Sequence, residues 1–198
     1  MHTLVLFAHP DSTSLTASTA RQIAEGIVEA GGTAEVADLA SEGFDPRFSD
    51  ADLQLMQGAG PVPDDVRREQ ERVERADSIV LAHPVYWWSM PSLLKGWIDR
   101  VLTFGWAFGA DDATAIAKRN IHLLRIGGSA RSTYETHGYA DALRTVVEHG
   151  IFDFVGSPVA SSHLLHSRAD DGLEERIADT VNAIVHDVLS CQRTLVAA

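Results

Sequence analysis

Short apolar runs alternate along the chain with segments whose apolar residues have helical spacing. The first run, residues 3–8, contains no polar alternation, as expected for a strand buried on both faces of a sheet. The pattern predicts five strands, at residues 3–8, 33–39, 78–83, 120–126 and 152–159.

The intervening segments predict five helices. The first starts at Ser14 and ends at Gly31-Gly32, and the others span residues 64–76, 91–102, 139–149 and 174–189. Residues 40–63 form a Gly/Pro/Asp-rich excursion of irregular structure, and a polar loop follows Gly127-Gly128. Strands that alternate with helices predict an α/β fold, a doubly wound five-stranded parallel sheet of order 2-1-3-4-5 with helices on both faces. We expect one domain, residues 1–198.

Composition and charge narrow the function classes. The chain has 198 residues, of which 45% are hydrophobic, and a formal net charge of −12, which disfavours nucleic acid and anionic membranes as partners. Its single cysteine, Cys191, rules out an intramolecular disulfide and a CxxC redox motif. The sequence shows no signal peptide and no apolar run of about 18 residues, so no membrane insertion and a cytoplasmic location are expected.

Two predicted strands end in the same tripeptide, Ala-His-Pro, at His9 and at His83. In the order 2-1-3-4-5 these strands are neighbours, so their loops face one crevice at the carboxyl edge of the sheet. The first loop carries hydroxyl side chains at the start of a helix, where free N–H groups favour phosphate. Simple capping of the helix is an equally good interpretation of these hydroxyls.

All four tryptophans lie close together after the third strand, at positions 87, 88, 97 and 106. They are interpreted either as core residues or as an aromatic platform for a ligand. Gly127-Gly128 would let a flat ring approach the main chain. A phosphate site, an aromatic platform and a glycine edge fit a flavin nucleotide. GxGxxG after the first strand and a P-loop motif are both missing, and the first loop has no cysteine for a phosphatase.

Titratable residues of the later loops offer further chemistry. Tyr134 and His137 are candidates to protonate or polarise a substrate oxygen, although surface positions explain them equally well. His163 and His166 have no third ligand nearby in the sequence, so we expect no metal site.

A long motif follows the third predicted strand, His83-Pro84-x-x-Trp87-Trp88-x-Met90-Pro91-x-x-Leu94-Lys95-Gly96-Trp97-Ile98-Asp99-Arg100-Val101. It resembles the signature of the flavodoxin-like NAD(P)H:quinone oxidoreductases of the diaphorase type, a family that includes flavoprotein subunits of bacterial potassium-efflux systems. The similarity extends over most of the chain through Ala8-His9-Pro10 with Ser14, Phe44-Asp45-Pro46, Gly105-Trp106-Ala107-Phe108 and Gly127-Gly128.

The resemblance implies a flavodoxin-like homodimer with its active site at the subunit interface. It also implies ping-pong hydride transfer from NAD(P)H through FAD, or alternatively FMN, to a quinone-like acceptor. Catalytic roles fall on Tyr134 and His137. The implied flavin-binding residues are His9, Ser14, Leu15, Thr16, Pro84, Val85, Tyr86, Trp87, Trp88, Gly127 and Gly128. The implied substrate-binding residues are Trp88, Met90, Trp106 and Phe108.

The chain also departs from the family pattern. Thr16 stands where members often have asparagine, and Arg125 and Ile126 stand where they have two threonines. The spacing from Gly128 to Tyr134 and His137 also differs. A regulatory subunit of a potassium-efflux system, or an electron-carrier module with incidental reductase activity, is the alternative function. The excursion at residues 40–63 favours FAD, since it is long enough to cover an adenosine half.

Overall fold

Five parallel strands form the centre of the molecule. The computed structural model describes residues 1–109, 114–157, 159–168 and 172–196, with side chains described through residue 191. The sheet has the order β2-β1-β3-β4-β5, and every pairing is parallel, which confirms the predicted topology. The strands are β1 His2–Phe7, β2 Thr33–Asp38, β3 Ser78–Pro84, β4 Asn120–Gly127 and β5 Val159–His166.

Helices cover both faces of this sheet. α1 and α7 pack on one face, and α4 with the segment after β4 packs on the other, so the central strands β1, β3 and β4 are almost entirely buried. None of the described helices is long and apolar enough to cross a membrane. The α-helices are α1 Leu15–Glu29, α2 Asp50–Met56, α3 Asp64–Arg75, α4 Ser92–Val101, α5 Arg131–His137, α6 Tyr139–Leu143 and α7 Leu173–Val196.

The fifth strand was predicted at residues 152–159, and this was wrong: β5 is Val159–His166. Phe152 and Val155 are apolar because they are core residues at the end of the preceding helical segment, which stops at Gly156 with a φ of 75°. β5 is an edge strand whose outer positions are partly exposed, so serines and histidines replace the apolar run that marks a central strand. Residue 158 lies outside the described residues.

Two segments predicted to be irregular contain helices, and one predicted helix has a different form. The polar loop after β4 contains α5. The helix predicted at 139–149 consists of α6 followed by a π-helix, Arg144–Asp153. The excursion at residues 40–63 contains α2, which begins at Ser49 with a reciprocal capping box to Asp52. This helix has only seven residues and begins with polar ones, so a search for apolar periodicity does not detect it.

The excursion is fixed to α4 by one buried arginine. Arg100 Nε donates to Asp52 Oδ2 at 2.9 Å, and its Nη1 donates to Asp65 Oδ2 at 2.6 Å and to the Asp45 carbonyl at 2.7 Å. A Cβ at Gly96 would lie 2.2 Å from the Pro46 carbonyl oxygen, so only glycine allows this close packing. The excursion therefore runs along α4, and the expectation that it covers an adenosine half receives no support from these contacts.

Candidate functional site

The two Ala-His-Pro loops lie side by side, as the sequence predicts. β1 and β3 are paired, and the Ala8 amide donates to the Ala82 carbonyl at 3.2 Å, just before the two histidines. His83 is buried, and its Nδ1 donates to the Pro84 carbonyl at 2.9 Å. Burial, together with the positive charge of Arg125, lowers the pKa of His83 to about 4, so this histidine is neutral at physiological pH.

The loop after β1 uses part of its donor set internally. Ser14 Oγ accepts from the Ala17 amide at 3.3 Å, so it caps α1. The carboxylate of Asp11 accepts from both the amide and the hydroxyl of Thr13, which lowers the pKa of Asp11 and removes two predicted donors. His9 Nδ1 accepts from the Asp11 amide at 3.0 Å. The Ser14 hydroxyl hydrogen and the amides of Leu15 and Thr16 remain as donors for an anion.

A tight hairpin follows β3. The Tyr86 amide donates to the Ser89 carbonyl at 2.9 Å, and the Ser89 amide donates to the Tyr86 carbonyl at 3.0 Å. The turn residues Trp87 and Trp88 have φ angles of 49° and 58°, a left-handed conformation that favours glycine or asparagine. Bulky residues held in this conformation typically mark functional sites. The turn leaves Trp87 94% exposed.

A group of stacked rings surrounds Trp88. Its ring lies on that of Tyr139, with centroids 3.7 Å apart and planes 16° apart, and it meets Tyr134 edge-on at 5.3 Å. The ring of His137 in turn stacks on Tyr139, with centroids 5.2 Å apart. The structure thus brings the two predicted catalytic residues to the aromatic hairpin. Tyr139 was missed, since nothing in the sequence distinguishes it from an ordinary first-turn residue.

The glycine pair at the end of β4 has two different environments. A Cβ at Gly127 would lie 2.4 Å from the Tyr134 hydroxyl, so the phenol packs directly against this glycine. A Cβ at Gly128 would meet nothing within 4 Å, and this residue is exposed. Tyr134 itself is 2% exposed, and burial raises its pKa. The open edge for a ligand is therefore at Gly128, with the Tyr134 hydroxyl beside it.

Three predicted substrate-binding or aromatic residues are not part of this crevice within one chain. Trp106 Nε1 donates to Glu74 Oε1 at 2.7 Å, and Glu74 shortly precedes β3. The ring of Phe108 lies 5.7 Å from that of Phe154, which shortly precedes β5. They therefore lie at the amino ends of the strands, opposite the crevice. Met90 is 7% exposed and belongs to the core. Trp88 and Trp106 of one chain therefore lie at opposite edges of the sheet, and their common role in substrate binding stays a prediction.

A cavity beside the crevice was not predicted. It has a volume of about 470 Å³, lies at the carboxyl end of β5, and is lined by basic residues from β5 and the starts of α5 and α7. The side chains that give it positive charge are Arg131, Arg168 and Arg176, with His163, His166 and Asp179 also in the lining. His166 meets the Tyr134 ring at 4.9 Å, which places the cavity next to the aromatic group. Among the described residues, no group of His, Cys, Asp or Glu is arranged to hold a metal ion.

Known proteins resemble the chain over most of its length. The Flavodoxin_2 family, described as "Flavodoxin-like fold", matches residues 1–187. The structure of an NAD(P)H:quinone oxidoreductase from Methanothermobacter marburgensis is similar at 30% identity and a TM-score of 0.86, covering 95% of this chain and 96% of that one.

Two sequence relatives carry related names. Ribosyldihydronicotinamide dehydrogenase (quinone) of Mus musculus is 30% identical over 199 residues, covering 87% of this chain and 84% of that protein. The glutathione-regulated potassium-efflux system ancillary protein KefF of Salmonella dublin is 34% identical over 134 residues, covering 60% of this chain and 70% of that protein. The chain therefore belongs to the Flavodoxin_2 family, and the predicted resemblance to its NAD(P)H:quinone oxidoreductases is confirmed.

Proposed function

We propose that this chain is a flavin-dependent oxidoreductase that carries hydride from NAD(P)H to a quinone or a similar acceptor. The observation that carries the proposal is the crevice between the loops of β1, β3 and β4. There, the exposed ring of Trp87, the stacked ring of Trp88 and the open main chain at Gly128 lie at the same edge of the sheet as the first turn of α1. The names of the relatives, quinone oxidoreductases in two of the three, agree with this assignment.

The residues present fit a flavin. An isoalloxazine ring needs a flat apolar surface, polar main-chain groups at its edge and a site for its phosphate. The hairpin supplies the surface, and its turn leaves the amides of Trp87 and Trp88 unused by the two hairpin hydrogen bonds. Gly128 has space where a side chain would stand. The Ser14 hydroxyl and the amides of Leu15 and Thr16 lie at the positive end of α1, which favours phosphate.

Flavin would supply the hydride chemistry, and the chain's own residues would position the reactants and handle protons. The Tyr134 hydroxyl, held against Gly127, is placed to donate a hydrogen bond to an oxygen at the Gly128 edge. His137, exposed at the end of α5, is placed to exchange protons with solvent. Trp88 offers a stacking face for flat reactants, which would use the same space in alternation. Alternating use of one site produces ping-pong kinetics.

The basic cavity supports FAD as the cofactor. The adenosine diphosphate half of FAD carries phosphate charge and needs a place next to the ring site. The cavity of about 470 Å³, which is lined by arginine side chains, offers such a place. His166, also in its lining, contacts the Tyr134 ring. FMN would leave the cavity unfilled. The excursion at residues 40–63 instead packs along α4.

The position of the remaining aromatic residues supports a homodimer. Trp106 and Phe108 lie at the amino ends of the strands, so they reach an active site only if that site belongs to a second copy. Apolar side chains around them are exposed, Phe104 at 67% and Phe154 at 69%, as is typical of a surface that contacts another protein. We therefore place the acceptor site between the Trp88 hairpin of one chain and this surface of its partner.

One experiment tests the assignment. The protein is purified, its flavin is released by denaturation and identified by mass spectrometry, and oxidation of NADH and of NADPH is compared with menadione as the acceptor. We expect bound FAD and rapid oxidation of at least one donor. A chain that binds no flavin even when flavin is supplied contradicts the proposal. Tightly bound flavin with negligible turnover supports the alternative function, a regulatory module. The similarity to the potassium-efflux ancillary protein favours that alternative.

A further inference from the structure

Arg125 is a buried charge directly beneath the crevice. It is 6% exposed and pairs across the sheet with His83, at the ends of β4 and β3. Side chains alternate along a strand, so Arg125 lies on the same face as Leu123 and Gly127. The Tyr134 hydroxyl packs against Gly127, only two residues further along that face. The guanidinium and the phenol are therefore neighbours.

Only part of the Arg125 guanidinium has hydrogen-bond partners. Nη2 donates to Glu148 Oε1 at 2.9 Å and to Ser162 Oγ, whose own hydroxyl donates to Glu148 Oε1 at 2.7 Å. Within the described part of the chain, the buried Nε and Nη1 atoms have no hydrogen-bond partner. His83 Nε2 is also buried without a partner. Buried donors without partners cost stability, so their retention calls for a functional explanation.

The surroundings do not neutralise this charge fully. Glu148, on the π-helix, is the carboxylate paired with Arg125, and its side chain keeps 18% of its exposure. His83, on β3, is neutral because its burial lowers its pKa to about 4. On β5, His166 meets Tyr134 edge-on, and burial lowers its pKa as well. Tyr139, from α6, meets the same phenol edge-on, with ring centroids 6.3 Å apart.

We propose that Arg125 is a positioning residue that places positive charge beside the Tyr134 hydroxyl and stabilises negative charge that forms there. The inference rests on the proposed function, in which Tyr134 acts on the acceptor. When its O–H bond breaks, the proton forms a new O–H bond on the reduced acceptor and the negative charge stays on the phenolate oxygen. The buried guanidinium favours that charge, whereas burial alone opposes it.

The test measures the acidity of Tyr134 in the full chain, by NMR titration of isotope-labelled tyrosine, with Tyr134→Phe to assign the signal. We expect Arg125→Gln to raise the pKa of Tyr134 by about one unit, a tenfold change in its ionisation constant. Arg125→Lys should restore most of the difference because it keeps the charge. Glu148→Gln should lower the pKa, since it removes the opposing carboxylate.

A purely structural role gives a different result. Arg125→Gln would then change the resistance to denaturant and leave the pKa of Tyr134 as in the unmodified chain, and this outcome overturns the proposal. If Arg125→Gln does not fold, it is combined with Glu148→Gln, and the pKa of Tyr134 in this double variant is compared with that in Glu148→Gln alone. A pKa about one unit higher in the double variant supports the proposal, and an equal pKa overturns it.

Bound flavin provides the second measurement. A tenfold loss of stabilisation of the reduced state lowers a two-electron midpoint potential by about 30 mV, which Arg125→Gln should show and Arg125→Lys should not. A chain that binds no flavin contradicts the proposed function. The titration of Tyr134 still decides the role of Arg125 in that case, because it needs no flavin.

Discussion

Two buried neutral histidines make the stability of this protein depend on pH. His83 is 1% exposed and His122 is 0% exposed, and burial lowers the pKa of each from 6.5 to about 4. His122 Nδ1 contacts Ser161 Oγ at 2.8 Å, and within the described residues its buried Nε2 has no hydrogen-bond partner. In the unfolded chain both rings are in water, where they gain protons at a higher pH than in the folded state.

The sign and size follow from this difference. As the pH falls below the unfolded pKa, the unfolded state binds protons that the folded state does not, so the free energy of unfolding decreases. The loss begins near pH 6.5 and is complete near pH 4, the interval between the two pKa values. At about 1.4 kcal/mol per pKa unit, each histidine contributes roughly 3 kcal/mol over the whole interval and about 2 kcal/mol by pH ~5.

The assay is urea unfolding at pH ~7.5 and at pH ~5, above the range in which the paired aspartates lose their charge. We expect the free energy of unfolding to be about 4 kcal/mol lower at the acidic pH, and His122→Asn to remove about half of that difference. His149→Asn, at an exposed position of the π-helix, is the control. An unchanged pH dependence in His122→Asn would refute the reasoning, whatever the variant does to stability at neutral pH.

Three further substitutions test the site and its support. Trp88→Ala removes the ring stacked 3.7 Å from Tyr139, so quinone turnover should fall about fivefold with flavin still bound, since stacking contributes on the order of 1 kcal/mol beyond area burial; loss of flavin from a folded variant contradicts this role. Gly96→Ala drives a Cβ to 2.2 Å from the Pro46 carbonyl oxygen and should lower the free energy of unfolding by at least ~2 kcal/mol, measured by urea unfolding; a neutral effect would show that the excursion moves freely. Arg100→Met leaves two carboxylates without their buried cation and should destabilise the fold by about 3–5 kcal/mol at neutral pH, with part of the loss recovered in acid where those carboxylates are protonated.

Strand order accounts for the parts of the site that were predicted. The loops at His9 and His83 are adjacent because β1 and β3 are paired, and Tyr134 lies near the hairpin because α5 follows β4, the other neighbour of β3. Trp106 lies away from the crevice of its own chain because a ten-residue helix, α4, carries the chain from the carboxyl edge of the sheet back to its amino edge. Aromatic residues that are close in sequence are thereby placed at opposite edges of the sheet.

The sequence by itself determined the sheet and its order, because central parallel strands are buried on both faces and must be continuously apolar. It also determined the aromatic motif after β3, since the residues of that motif are continuous in the chain. The tertiary structure alone decided where β5 lies, because an edge strand needs no apolar run. It also decided that Arg125 is buried beside Tyr134 and that basic residues from distant segments line one cavity. These features depend on contacts between residues far apart in the chain, which no local pattern records.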